Sequence, residues 1–279
     1  MASTTSTALD TRPPGIATRI TPLAFLGGRH ASRVLERNVL VYRRSWIFLV
    51  SGFFEPLFYL LSISIGLNKL AGPLPVDGRF ISYSLFVAPG MLAASAMNGA
   101  MIDSIFNTFF KLKISHSYDA LLSTPLEVTD IAMGEVLWSL LRGTMYAASF
   151  IVCMALLGDA GSAWVILCWP GAILTSLTFS CMGLAACTYM RTWQDFDLVL
   201  LVQLPLFLFS GTFFPVTLYP AWLGAIVTIS PLYQSAALMR GFSLGQFQWI
   251  MVFRAAYLLA IALVCLSIAS RRFRKILAP

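Results

Sequence analysis

Apolar residues in this chain come in long runs broken by short charged clusters. A bilayer core about 30 Å thick needs about 20 apolar residues per helix. Six segments meet that length: residues 46–67, 81–102, 136–157, 163–189, 198–214 and 249–270. The pattern predicts an all-α membrane protein with six transmembrane helices. A seventh apolar piece, AWLGAIVTI (Ala221–Ile229), is too short to cross and reads as a re-entrant or interfacial element before the last helix. No internal repeat is visible, so residues 29–279 are expected to form one transmembrane domain. The polar start, MASTTSTALDTRPPG, has no apolar core followed by a small-residue cleavage site. Residues 1–28 are therefore expected to be a disordered cytoplasmic tail.

Charge fixes the expected orientation. With six spans and both ends inside, the arginines at 12, 19, 29, 33, 37, 43, 44, 191, 271, 272 and 274 are cytoplasmic. So are Lys111, Lys113 and Lys275, whereas only Lys69, Arg79 and Arg240 face out. A seventh span would carry the RRFRK terminus outside, against the positive-inside rule. A net charge of +7 could suggest nucleic acid, but the basic residues sit between apolar runs and not on one binding face. The chain is 58% apolar and 11% charged, with a mean hydropathy of +0.79, which fits a multi-pass plasma (inner) membrane protein.

Ahead of the first span, Leu35, Val39, Tyr42 and Trp46 share one helical face. Arg29, Arg33, Arg37 and Arg44 gather on the opposite one. Such a helix lies on the inner leaflet, its arginines toward headgroups or a protein partner. A plain basic flank to the first span fits the same residues.

Charges within spans cost about 2.5–3.5 kcal/mol on insertion scales, so they point to function or pairing. In GFFEPLFYLLSISIGL, Glu55 is followed by Pro56, which leaves the carbonyl of Gly52 without a helical donor. Glu55 stands about 13 Å and Arg142 about 9 Å above the inner edge, which makes them candidate partners. Glu135, one helical face with Arg142, is a second candidate, and snorkelling of Arg142 to the headgroups is the alternative. Arg254 enters the sixth span from the other side.

Two spans look shaped for close packing or for lining a path. Gly90, Ala94 and Asn98 fall four apart on the second. The fifth, QLPLFLFSGTFFP, carries Gln203, Pro205, Phe207 and Gly211. A substrate path, a subunit interface and packing within the subunit all remain open.

Catalytic motifs are missing. There is no GxxxxGK[ST], no HExxH and no GxSxG, and the two histidines sit in different segments. Asp103, Asp119, Glu127, Asp130, Asp195 and Asp197 lie at loop edges, where solvated faces and helix caps explain them. The five cysteines lie inside apolar spans with no CxxC pair and read as small buried hydrophobes. No metal, catalytic residue or cofactor is expected on this chain. Work on a membrane must then draw on a partner's energy or on a gradient.

Between the second and third spans runs the longest internal loop expected on the cytoplasmic side, FKLKISHSYDALLSTPLEVTDIAMGE. Within it Tyr118, Leu121 and Leu122 fall at helical spacing, closed by Thr124-Pro125. A short amphipathic helix there would plug a groove in another protein. Its sequence YDALLSTPLEVTDIAMGE, with TYMRTWQDFDLV and SPLYQSAALMRG further on, resembles the type-2 ABC exporter permeases. The likeness is greatest to nodulation-factor (lipo-oligosaccharide) export permeases and related drug-resistance permeases, and runs from about Arg33 to the C-terminus. Where the late motif often has His after Pro-Leu-X, this chain has Gln234.

The resemblance implies a permease dimer, homodimeric in this branch, bound to two copies of a separate ABC ATPase subunit that holds ATP and Mg. It implies that Ser117, Tyr118, Asp119, Leu121 and Leu122 form the coupling helix, with the segment from Arg29 to Arg44 as the interface helix beside it. FFPVTLYP and Ala221–Ile229 would form re-entrant outer hairpins, and the second and fifth spans would line the route of a glycolipid, lipo-oligosaccharide or drug. Two other functions are compatible with the residues alone: a gradient-driven transporter with Glu55 as proton site, and a membrane-embedded transferase on lipid-linked sugars.

Overall fold

A computed structural model describes residues 31–43, 58–62, 65–66, 72, 74–76, 79–159 and 161–277. The expected tail 1–28, Arg29, Arg44 and most of the expected first span, with Glu55 and Pro56, lie outside the described residues. Helix α1 covers Ala31–Arg43. A short antiparallel hairpin follows, β1 Leu74–Val76 and β2 Arg79–Ile81, with Leu74 opposite Ile81 and Val76 opposite Arg79. The remaining helices are α2 Tyr83–Phe109, α3 Ser117–Leu122, α4 Val128–Leu157, α5 Cys168–Cys187, α6 Asp195–Leu208, α7 Ala221–Ile229, α8 Pro231–Ser243 and α9 Ile250–Leu277.

Helix α2 is the centre of the bundle, packed by α4, α5 and α8. It runs well past the expected end at residue 102. The row Met97, Met101, Ile105 and Phe109, spaced by four, stays buried throughout and keeps that face against the bundle. It closes in a π-helical turn, Phe110–Ile114, where the amide of Ser115 reaches the carbonyl of Phe110 at 2.9 Å. His116 then takes a left-handed conformation (φ 46°) that reverses the chain into α3. Helix α4 likewise begins eight residues earlier than expected. Glu127 and Asp130 cap its start reciprocally, the Glu127 amide donating to Asp130 Oδ2 at 3.1 Å. The expected long loop is thereby reduced to residues 115–127, with α3 inside it.

Among the described residues, four stretches are long and apolar enough to cross a membrane: Tyr83–Ile114, Val128–Leu157, Ala163–Cys187 and Ile250–Leu277. The pair α7 and α8, bent by 81° at Ser230, makes up to five if counted as one broken span. The six-span expectation changes most at its fifth member. Helix α6 has 14 residues, about 21 Å of rise, and ends at Leu208. Pro205 withholds one amide from its last turns, and Gly211 sits at φ +65° beyond it, a conformation that favours glycine. The hydroxyl of Ser210 donates to the Phe207 carbonyl at 2.7 Å and pairs with that of Thr212 at 2.6 Å. The chain therefore leaves the helix with its polar groups satisfied.

Most of the core lines α2, with Phe86, Leu92 and Met97 against Phe150, Phe179 and Leu232. A second cluster at the α3 end joins Tyr118, Ile131, Leu184 and Phe273. Helix α9 continues beyond its expected limit at residue 270 so that Phe273 completes that cluster. Four of the five cysteines are buried and all are free thiols, as their apolar surroundings suggested.

Candidate functional site

Polar side chains inside a bundle need partners, and they collect here at three levels along α2. At the α3 end, the π turn points Lys111 inward. Its Nζ donates to Glu135 Oε1 and Oε2 at 2.8 and 2.9 Å and to Asn38 Oδ1 at 2.9 Å. Asn38 Nδ2 in turn donates to Glu135 Oε2 at 3.3 Å. Three elements, α1, the end of α2 and α4, are thus tied at one point. Lys111 was expected in a solvated loop; it is buried, because the helix carries it into the bundle. Glu135, the second candidate partner of Arg142, has Lys111 as its cation.

Helix α1 docks on α4 through Val34 and Asn38, both buried, at Gly134, where a Cβ would meet Val34 at 2.5 Å. Arg33 faces out beside Glu36, 3.9 Å away, and Arg37 is half-buried. Val39, expected on the apolar face turned to the inner leaflet, is exposed.

Helix α3 is seated beside this network by the second apolar cluster. Tyr118 is buried against Phe273, ring centroids 6.1 Å apart, and burial pushes its hydroxyl well above the ordinary tyrosine range. Leu121 and Leu122 pack on the same cluster. These three were expected to present themselves to a partner; instead they seat the helix. What faces outward is Asp119, Ala120, Ser123, Thr124 and Pro125, while Ser117 is half-buried.

About two turns further into α2 lies Asp103, which binds the Arg142 guanidinium of α4; Arg142 Nη2 also donates to Tyr146 at 2.9 Å. Asp103 was expected at a solvated loop edge and is only 5% exposed, because α2 does not stop before it. It supplies Arg142 with an anion from the second span; Glu55, the expected partner, lies outside the described residues.

The expected path residues fall on facing elements. Gln203 of α6 donates to Asn98 of α2 at 2.8 Å. Gly90, two turns earlier, lets Thr212 approach so closely that a Cβ would meet it at 2.9 Å. Ala94 is buried in the same row. Phe207 stands edge-on to Phe213, and Gly211 lies under Tyr233. Beside this seam, Met101, Met182, Met190, Leu198 and Val202 line an apolar pocket of about 470 Å³. Helix α6 also buries Phe196 against Phe106 and Phe109, whereas Leu200, Leu201 and Leu204 face away from the bundle.

Arg254 is at the opposite end, on the first turn and a half of α9, where it shares a cavity with Arg240. No group of three or more His, Cys, Asp and Glu able to hold a metal occurs among the described residues.

The ABC-2 type transporter family model matches residues 30–247. Nodulation protein J of Rhizobium leguminosarum bv. viciae is 29% identical over 222 residues, covering 79% of this chain and 84% of its own length. Nodulation protein J of Rhizobium meliloti (strain 1021) is 30% identical over 216 residues, 76% of this chain and 80% of its own. The inner membrane transport permease YadH of Escherichia coli (strain K12) is 24% identical over 245 residues, 85% and 93% of the two chains. The match takes in α1 to α8 and every polar cluster above except Arg254. This chain therefore belongs to the ABC-2 type transporter family, as a membrane permease.

Proposed function

We propose that this chain is the transmembrane half of an ATP-driven exporter in the plasma membrane. Two copies pair, each copy takes one ABC ATPase subunit, and the cargo is an amphipathic glycolipid, lipo-oligosaccharide or drug. Both termini face the cytoplasm in this reading, so the α3 end of the bundle is inner and the α8 end outer. The observation that carries it is the mounting of α3. A six-residue helix has almost no stability alone, yet Tyr118, Leu121 and Leu122 seat it on the π turn that ends α2 and on α4, α5 and α9, beside the Lys111–Glu135–Asn38 tie. A push on its outward face, Asp119 and Ala120, would reach all four helices together. The methionine-rich pocket, whose lining also includes Tyr189, Arg191 and Asp195, suits a cargo with apolar and polar parts.

Coexpression of the chain with its ATPase tests this. Ala120→Arg places a bulky charge on the outward face without touching the Tyr118 cluster. It is expected to lower ATPase recovery on the purified permease by about tenfold, the loss of about 1.4 kcal/mol. ATP-driven transport in vesicles should fall with it. Full ATPase recovery and full transport in this variant would refute the docking assignment.

A further inference from the structure

The cavity at the α8 end has a volume of about 300 Å³, and two of its lining residues are Arg240 and Arg254. None of its lining residues is acidic. Thr217, Tyr233, Gln246 and Gln248 add neutral polar groups around it. Arg240 is held in place: Nε donates to the Phe86 carbonyl at 3.2 Å, Nη2 donates to that of Gly211 at 3.0 Å, and its guanidinium lies 3.8 Å from the Phe86 ring centroid. Arg254 differs. Its Nε is buried with no hydrogen-bond partner, and it has no ion pair among the described residues.

A guanidinium turned into a cavity, without a carboxylate in the lining, is poorly compensated by protein alone. Its planar fork matches the oxygens of a phosphate-type anion, and a second guanidinium on the same cavity raises the attraction. A cavity of this size with a few convergent polar groups has the make-up of a small-molecule site. The apolar parts of the lining, Val216, Ile250 and Met251, fit the region where a headgroup joins its tails.

We propose that this cavity binds a phosphate-type oxyanion, with Arg254 as its main ligand and Arg240 as a fixed second cation. The anion comes either as the headgroup of an amphipathic lipid or free from solution. The site does not depend on the ATPase or on the export reading. Its assignment to the outer leaflet follows from the proposed orientation, whereas its chemistry does not.

The full-length chain, purified without any ATPase, is placed in nanodiscs of phosphatidylcholine alone or with a minor fraction of phosphatidylglycerol. Lipid retained after transfer to detergent is counted by native mass spectrometry. In a second arm, inorganic phosphate is titrated into the phosphatidylcholine nanodiscs by calorimetry. Binding in at least one arm is expected to weaken about tenfold in Arg254→Gln and less in Arg254→Lys. Arg274→Gln, an exposed cation at the other end of α9, should leave it unchanged. Loss confined to the phosphatidylglycerol arm identifies a lipid headgroup, and loss in the phosphate arm identifies a free anion. If Arg254→Gln does not fold, Gln248→Ala, on the exposed rim, is expected to weaken binding by a smaller factor. Absence of binding in both arms, or equal binding by wild type and the cavity variants, would overturn the proposal.

Discussion

At the α3 end of the bundle Lys111 and Arg142 each sit against a buried carboxylate, whereas the cavity at the α8 end gathers two arginines and no acidic lining residue. The difference separates two uses of charge in one membrane protein. A cation whose anion comes from a neighbouring helix is a cross-link, and its effect appears in stability and in how the helices move together. A cation whose cavity holds no carboxylate is left with electrostatic capacity for something outside the chain. Asn38 adds to the first use: it donates to Glu135 and accepts from Lys111, so the network is closed and brings in α1.

The contrast breaks most readily at Glu135. Glu135→Ala strands Lys111 as a buried, unpaired charge, which costs about 3–5 kcal/mol. Urea unfolding in detergent should register it, and adding Lys111→Met should restore most of the loss, because a well-packed apolar pair can replace a buried ion pair. No recovery in the double variant would mean that the tie is not the cross-link described. Asp103→Ala is next, at about 2–3 kcal/mol by the same reasoning, reduced because Arg142 keeps Tyr146 and some exposure. Exchanging the two residues, Asp103→Arg with Arg142→Asp, should recover stability beyond either single change.

These residues also mark where the sequence was legible. Spans were readable because a run of apolar residues reports lipid directly, and α4, α5 and α9 fall where such runs lie. Helix ends were not, because hydropathy reports the solvent around a helix, and the hydrogen-bonded turns continue beyond it. Asp103 and Lys111 therefore read as edge and loop residues, although the four-residue row from Met97 to Phe109 carries the signal that α2 goes on. Tyr118 was found, but whether an amphipathic helix turns its apolar face outward or inward depends on Phe273, far away in the chain. The hairpin 74–81 was missed despite Asp77-Gly78, a strong local turn pair, between its strands.

At the α8 end the two arginines should respond unlike each other. Arg240→Leu removes hydrogen bonds to two carbonyls and the contact with the Phe86 ring, an expected loss of about 1–3 kcal/mol. Arg254→Gln should change thermal stability in phosphatidylcholine by no more than about 0.5 kcal/mol, since no protein partner is lost. A loss as large as that of Arg240→Leu would place Arg254 among the cross-links and remove the contrast.

The smallest expected effect concerns a carboxylate at the α3 end that neutralises no buried cation. Asp195 Oδ2 accepts from the amides of Arg191 at 2.6 Å and Thr192 at 3.0 Å, and these hydrogen bonds hold its carboxyl below the ordinary 3.8. The sign follows from linkage: a lowered folded value means the charged form is favoured in the fold. The contribution is complete above 3.8 and is lost only as pH falls through the lower folded value. Because Asp195 is fully exposed, the response should be local to the turn. Hydrogen exchange over residues 191–195, taken relative to the intrinsic rate at each pH, should therefore stay slow down to pH 3.8 and quicken as pH falls through the lower folded value, and Asp195→Asn should abolish that relative pH dependence. Quickening that begins above 3.8 would mean that the amides do not hold the carboxylate as the structure has them. The turn would then join the buried pairs in needing a cation, and backbone capping would no longer stand apart as a third use of charge.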